Sequence, residues 1–205
     1  MITAEIKGTK LNFHTKAGVF SPDKIDKGTL AMLSAVELSA SDKVLDLGCG
    51  YGAVGIWAAS VIGSDRVVMC DIDEACVTLS ENNAQMNGLG GIKTAVSDGF
   101  RNLDDTDFTL ILSNPPYHTD FSVAKHFIEK GFNRLKIGGK MVMVTKRKQW
   151  YKNKLTAIFG GVKTQETDGY FVFCAEKRGM KYANAKPSQA KASQVKPNQT
   201  KTGYR

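Results

Sequence analysis

The residues best suited to chemistry stand at the end of an apolar run, where Leu110-Ile111-Leu112-Ser113 leads into Asn114-Pro115-Pro116-Tyr117. Two successive prolines would destroy a strand ladder, so the segment must be a rigid loop at the sheet's edge. The prolines lack amide hydrogens but keep their carbonyls, and Asn114 Oδ1 and the Pro115 carbonyl can therefore form a fixed pair of acceptors. A planar NH₂ group bound to both is pinned by its hydrogens, with Tyr117 placed to stack on the ring that bears it. Such a grip orients the nitrogen toward an electrophile and strengthens as positive charge develops on that nitrogen, so no strong general base is needed. The plainer alternative is a turn. Asn-Pro commonly opens one, and Pro-Pro-Tyr can serve as a rigid connector or as a peptide-like motif for another domain.

A second constellation lies upstream. Val44-Leu45-Asp46-Leu47-Gly48-Cys49-Gly50-Tyr51-Gly52 runs from a strand into a helix through three glycines at alternate positions. Glycine there lets the backbone turn tightly and approach a ligand at the carboxyl end of a sheet. Asp46 can accept from a cationic amino group such as that of the methionine part of S-adenosylmethionine. Asp71 ends the next strand, where a carboxylate can take both hydroxyls of a ribose, with Ile72 available to an adenine face. Asp98 in Ser97-Asp98-Gly99-Phe100 can accept from an adenine amino group. Two alternatives stand beside this. Gly50 to Gly55 also fits the dinucleotide fingerprint G-x-G-x-x-G, with Asp71 about 20 residues on, as in a dehydrogenase. The terminal acids can also be helix caps.

Apolar strand-like runs alternate with helical ones and set where these residues emerge. Strands are expected at Lys43 to Leu47, Val67 to Cys70, Ile92 to Val96, Phe108 to Ser113 and Met141 to Thr145. Helices are expected at Gly52 to Ile62, Glu74 to Asn87 with Gly88 as C-cap, Phe121 to Leu135 ending near Gly138-Gly139, and Gln149 to Phe159. Two β-rich runs ending at Ala175 read as an antiparallel pair closing the edge. The pattern predicts an α/β fold with a mostly parallel sheet and helices on both faces. Ahead of it, Glu5 to Leu11 alternates like a short strand, 18–22 is a loop, and Lys24 to Leu38 is a helix starting at Ser21 or Asp23. The division expected is a segment 1–40 covering the cofactor site, a core 41–178, and a low-complexity basic tail 179–205 read as disordered.

Taken in order, Asp46-Leu47-Gly48-Cys49-Gly50, Asp71 and Asn114-Pro115-Pro116-Tyr117 resemble a class I methyltransferase that modifies exocyclic amines. Gly18-Val19-Phe20-Ser21, the helix through Gly28-Thr29-Leu30, and Ser113 to His118 resemble the "methyltransferase small" domain of bacterial rRNA guanine-N2 methyltransferases. The likeness spans about Phe13 to Lys177. It implies a Rossmann-like fold of seven strands with an antiparallel C-terminal strand, and S-adenosylmethionine as cofactor. It further implies methylation of guanine N2 in small-subunit rRNA. By matching position, Phe20, Asp46, Gly48, Cys49, Gly50, Asp71, Ile72, Asp98 and Asn114 would line the cofactor site. Asn114, Pro115 and Tyr117 would hold the target base, with Pro116 and His118 beside it. Larger family members carry a duplicated N-terminal domain, whereas only the catalytic half is matched here. Tyr117 also suits adenine-N6, cytosine-N4 and protein-glutamine methyltransferases, so the four-residue motif leaves the acceptor open.

Lys146-Arg147-Lys148-Gln149-Trp150-Tyr151-Lys152-Asn153-Lys154 interleaves five cations with two aromatics. Phosphates can pair with Lys146, Arg147 and Lys148, and a base can stack on Trp150 or Tyr151. The alternative is the solvated face of an amphipathic helix with Trp150 in the core. Net charge is +8. Lys177 onward carries eight basic residues, with no acid after Glu176, so the preceding body is neutral. If all eight engaged single-stranded RNA the salt slope would be about −6. The expected partner is ribosomal RNA or a ribosomal subunit, with no obligate protein partner. Two further readings remain: a small dehydrogenase, and a basic RNA-binding protein with a vestigial catalytic fold. No apolar stretch approaches the roughly 18 residues of a membrane span, the N-terminus lacks a signal-peptide core, and Cys49, Cys70, Cys76 and Cys174 form no C-x-x-C pair. A cytoplasmic protein is therefore expected. His14, His118 and His126 lack the neighbours of a zinc site, so no metal is expected.

Overall fold

The computed structural model describes residues 1–116 and 120–183. Two antiparallel strands, β1 (Ile2–Ile6) and β2 (Thr9–Phe13), precede helix α1 (Lys27–Ser34). The core then runs β3 (Val44–Leu47), α2 (Ala53–Ile62), β4 (Val67–Asp71), α3 (Glu74–Met86), β5 (Lys93–Val96), β6 (Phe108–Ser113), α4 (Ser122–Arg134), β7 (Leu135–Thr145), α5 (Lys148–Phe159), β8 (Lys163–Thr167) and β9 (Tyr170–Glu176). Its seven strands are ordered β5-β4-β3-β6-β7-β9-β8. β3 pairs parallel with both β4 and β6, and β9 runs antiparallel between β7 and β8. This is the Rossmann-like methyltransferase arrangement, and the strand order reverses between β3 and β6, where a ligand crevice opens beyond the carboxyl ends.

Strands buried on both faces must be apolar at successive positions, and these are. Val67 and Met69 of β4 join one cluster with α1, α2 and the β1–β2 hairpin, while Val68 and Cys70 join a second with α4 and α5. Among the described residues no helix is long and apolar enough to cross a membrane.

Several boundaries differ from expectation, each for a physical reason. The single strand expected over Glu5 to Leu11 is a hairpin: Lys7 and Gly8 both take positive φ, a two-residue turn that reverses the chain mid-run. Helix α1 begins later than Ser21 or Asp23, because the Asp26 carboxylate caps it by accepting from the Thr29 amide at 3.0 Å. It also ends at Ser34, short of Leu38. Gly138-Gly139 does not follow a helix end. Leu135 turns directly into β7, Gly138 and Gly139 pair with Lys177, and a Cβ on Gly139 would lie 2.7 Å from the Phe108 carbonyl. The pair is the bulge that lets β7 close on β6, where the register shifts. Lys177, inside the expected core, is buried with its Nζ donating to the Leu135 carbonyl at 2.6 Å. The body continues through Tyr182, whose ring packs edge-on against Phe132 at 5.1 Å and whose hydroxyl donates to the Glu129 carbonyl. The remainder of the expected tail, 184–205, lies outside the described residues.

Candidate active site

A cavity of about 340 Å³ opens at the carboxyl ends of β3, β4 and β6. Its floor is the glycine turn. Gly48, Gly50 and Gly52 all take positive φ, and the amides of Gly48 and Cys49 both donate to the Cys70 carbonyl at 2.9 Å, tying the turn to β4. Gly55, one helical turn further, allows close packing, since a Cβ there would lie 2.5 Å from Met69.

Two carboxylates are held against this turn by main-chain donors. The Gly50 amide donates to Asp71 Oδ2 at 2.9 Å and the Asp73 amide to Asp71 Oδ1 at 3.1 Å, so the Asp71 carboxyl group is oriented in advance of any ligand. Asp46 is 2% exposed and accepts from the Gly55 amide at 2.8 Å. Burial pushes its carboxyl up to about 7, the Gly55 hydrogen bond opposes the shift, and the Asp71 charge adds to it. The pair concentrates negative potential at the turn, a setting for a cationic group. Cys49 is buried near both, and burial raises its thiol well above the ordinary range, so it stays protonated and contributes packing rather than a nucleophile. Asp98 differs: it is half exposed and pairs with Arg101 at 3.3 Å.

The second wall is the loop after β6. β3 and β6 are neighbours, and Ser113 Oγ donates to the Leu47 carbonyl at 2.7 Å, so the glycine turn and the Asn114 loop leave the sheet side by side. Asn114 Nδ2 donates to Asp26 Oδ2 and to Thr29 Oγ1, each at 3.0 Å, whereas its Oδ1 is buried without a partner. Nδ2 facing a carboxylate fixes which end of the amide is which. A buried acceptor left unsatisfied is costly, and beside a cavity it marks where a ligand donor belongs.

The structure thus brings Phe20, Asp46, Gly48, Cys49, Gly50 and Asp71 to one cavity, together with Ile72, Asp98, Asn114, Pro115 and Pro116. Phe20 and Ile72 stand at its mouth with exposed side chains. Tyr117 and His118 lie outside the described residues. The basic segment is not part of the cavity wall. Trp150 is half-buried and stacked on Phe121 at 4.3 Å, and the Arg147 guanidinium lies 5.0 Å from the centre of that same ring. Lys146 and Lys148 sit over Tyr170 and Phe171. Tyr151 cannot serve as a stacking platform: it is 1% exposed, packed on Phe173, with its hydroxyl pushed up to about 12 by burial. Asp26, Thr29 and Tyr51 also line the cavity and were not anticipated. The available signal was Asp26 three residues before Thr29, the spacing of a helix cap. Among the described residues no group of His, Cys, Asp and Glu is arranged to hold a metal ion.

Comparison with known proteins agrees with this architecture. The methyltransferase small domain family model matches residues 10–174. The Bacillus subtilis protein YbxB is 33% identical over 178 residues, covering 84% of this chain and 89% of its own. Ribosomal RNA large subunit methyltransferase G of Shewanella denitrificans is 30% identical, covering 87% of this chain and 48% of its own. Among solved structures, the Thermus thermophilus 16S rRNA N2-guanine methyltransferase RsmC, in complex with AdoMet and guanosine, superposes with a TM-score of 0.78 at 32% identity, covering 86% of this chain and 50% of that one. The chain therefore spans about half the length of the rRNA methyltransferases it matches. The match removes the dehydrogenase alternative for the glycine turn: this chain belongs to the methyltransferase small domain family.

Proposed function

We propose that this chain transfers the methyl group of S-adenosylmethionine to an exocyclic amino group, N2 of a guanine in small-subunit ribosomal RNA, in the cytoplasm. One observation carries the reading: the buried, unpartnered Asn114 Oδ1 stands beside the glycine turn at the strand-order reversal. The relatives that methylate rRNA, and the N2-guanine specificity in the name of the solved relative, supply the base. The donor supplies a methyl group on a cationic sulfur. The residues present fit it. Asp71, preset by two main-chain amides, can take a ribose diol, Asp46 an ammonium, and Ile72 and Phe20 can cover flat rings at the mouth. Gly48, Cys49 and Gly50 let it approach the backbone, and Asp98 is assigned to an adenine amino group.

On the acceptor side, Asn114 Oδ1 and the Pro115 carbonyl hold the two hydrogens of the amino group, which aims the nitrogen lone pair. As the nitrogen–carbon bond forms and the carbon–sulfur bond breaks, these acceptors stabilise the growing positive charge, and one proton then leaves to solvent. Tyr117 would stack on the base, with Pro116 and His118 beside it. Lys146, Arg147, Lys148 and Trp150 are assigned to the RNA flanking the target.

The test is to incubate the protein with labelled S-adenosylmethionine and total RNA or ribosomal subunits from a strain lacking it, then map the modified nucleoside. Label in N2-methylguanosine of small-subunit rRNA is expected. Label in large-subunit rRNA would move the target, label in methyladenosine or protein glutamine would replace it, and RNA binding without transfer would reduce the protein to a binding module.

A further inference from the structure

Asn114 serves as an acceptor only if its amide is kept from turning over. Rotation by half a turn would present the NH₂ to the cavity, two donors against the two donors of a substrate amino group. The constraint comes from outside the loop. Asp26 Oδ2 accepts from Asn114 Nδ2 and also from the Thr29 amide, both at 3.0 Å, and a carboxylate offers only acceptors, so the amide's NH₂ must face it. Asp26 is held in turn. The Tyr170 hydroxyl of β9 donates to its Oδ1 at 3.3 Å. Gly28 permits the approach: a Cβ there would lie 2.6 Å from the Tyr170 ring and 2.8 Å from Asp26 Oδ2. Three chain segments, near residues 26, 114 and 170, converge on one carboxylate that also borders the cavity.

We propose that Asp26 is the positioning residue of the methyl transfer, its carboxylate fixing the Asn114 amide with Oδ1 toward the substrate nitrogen. By accepting from the amide NH₂ it also polarises the group, so Oδ1 becomes a stronger acceptor as the nitrogen gains positive charge. Tyr170 keeps the carboxylate in line. The assignment rests on the reading that the transferred methyl goes to an amino group held by Asn114.

Two variants separate positioning from mere capping of α1. Asp26→Ser retains a good cap but is too short to reach Asn114, whereas Asp26→Asn keeps shape and an acceptor oxygen without the charge. Both are assayed with labelled S-adenosylmethionine and the RNA fraction the wild type methylates, alongside Tm and cofactor calorimetry. Asp26→Ser is expected to lower kcat roughly 10- to 100-fold, the usual size when an orienting partner is removed. The KM for RNA, the cofactor Kd and Tm should stay near wild type, and Asp26→Asn should recover part of the loss. Independently of turnover, the Asn114 side-chain NH₂ resonances in ¹⁵N-labelled protein, identified by their absence in Asn114→Ala, should shift in Asp26→Ser. Wild-type kcat in Asp26→Ser, an unmoved resonance, or a kcat loss matched by loss of folded protein each overturns the proposal. If the wild type labels no RNA, the functional reading fails and this proposal falls with it. A shifted resonance would then mark only a structural tie.

Discussion

The two walls of the cavity are built differently. On the cofactor side, Asp46 and Asp71 are oriented by main-chain amides of Gly55, Gly50 and Asp73, all within about two dozen residues of chain. On the acceptor side, Asn114 is oriented by side chains from positions 85 and 88 residues away, and the carboxylate it leans on is held by a hydroxyl 144 residues away. Backbone donors come with the strand-turn-helix unit and survive most substitutions. Side-chain supports exist only when distant elements have docked. The cofactor wall should therefore tolerate change around it and fail through its own charges, whereas the acceptor wall should fail through any of several residues, each affecting turnover rather than cofactor binding.

The sharpest way to break this contrast is Asn114→Ala. It removes a buried acceptor beside the cavity that has no hydrogen-bond partner among the described residues, and loss of a preorganised transition-state contact of this kind costs about 10²- to 10³-fold in kcat. The cofactor Kd by calorimetry should be nearly unchanged, since the hydrogen bond that ties this loop to the strand leading into the glycine turn is made by Ser113. Equal losses in turnover and cofactor affinity would show that the two walls are one.

Next in size is Asp46. Its carboxyl holds a proton more tightly in the folded chain, about 7 against an ordinary 3.8. In the ligand-free protein this group therefore adds stability that is fully present below pH 3.8 and is lost as pH rises to about 7. Cofactor binding has the opposite sense, because an ammonium group needs the ionised form. Affinity should rise by up to about tenfold per pH unit toward pH 7 and level off above it. Asp46→Asn should abolish that dependence and weaken binding at pH 8 by roughly 10- to 100-fold, the worth of a charged hydrogen bond. Tm of the ligand-free variant at pH 8 should equal or exceed wild type. A pH-independent Kd in the wild type would remove Asp46 from the ammonium site.

The same contrast explains what could be read from the residues alone. Period and glycine placement are local, so β3 to β6, α2 and α3 were legible, as was the order of Asp46, Asp71 and Asn114 at or near the carboxyl ends of β3, β4 and β6. Asp26 was not, because nothing near it announces a partner at Asn114 or Tyr170. Its one local sign is a capping spacing to Thr29, and the polar Ser21 and Asp23 upstream compete with it as starts of the helix. Tyr151 looked like a stacking ring because the charges around it suggested an exposed face, but its helical position turns it onto Phe173. Gly138-Gly139 read as a helix stop because a bulge and a C-cap call for the same residue.

The smallest effect sharpens the comparison from within the cofactor wall. Asp98 lies two residues beyond its strand, whereas Asp71 is the last residue of its own. Its side-chain partner is the exposed Arg101 and it is itself half exposed, with no main-chain amide among the described residues presetting it. A side chain that must leave a surface ion pair to meet a ligand exchanges one solvent-screened contact for another, a difference worth about 0 to 1 kcal/mol. Asp98→Asn should therefore raise the cofactor Kd by no more than about fivefold, with kcat unchanged at saturating cofactor. A loss as large as that of Asp46→Asn would mean that Asp98 becomes enclosed when ligand binds, with Arg101 displaced. Main-chain preorganisation in the empty protein would then be a poor guide to which carboxylates of this wall carry the binding energy.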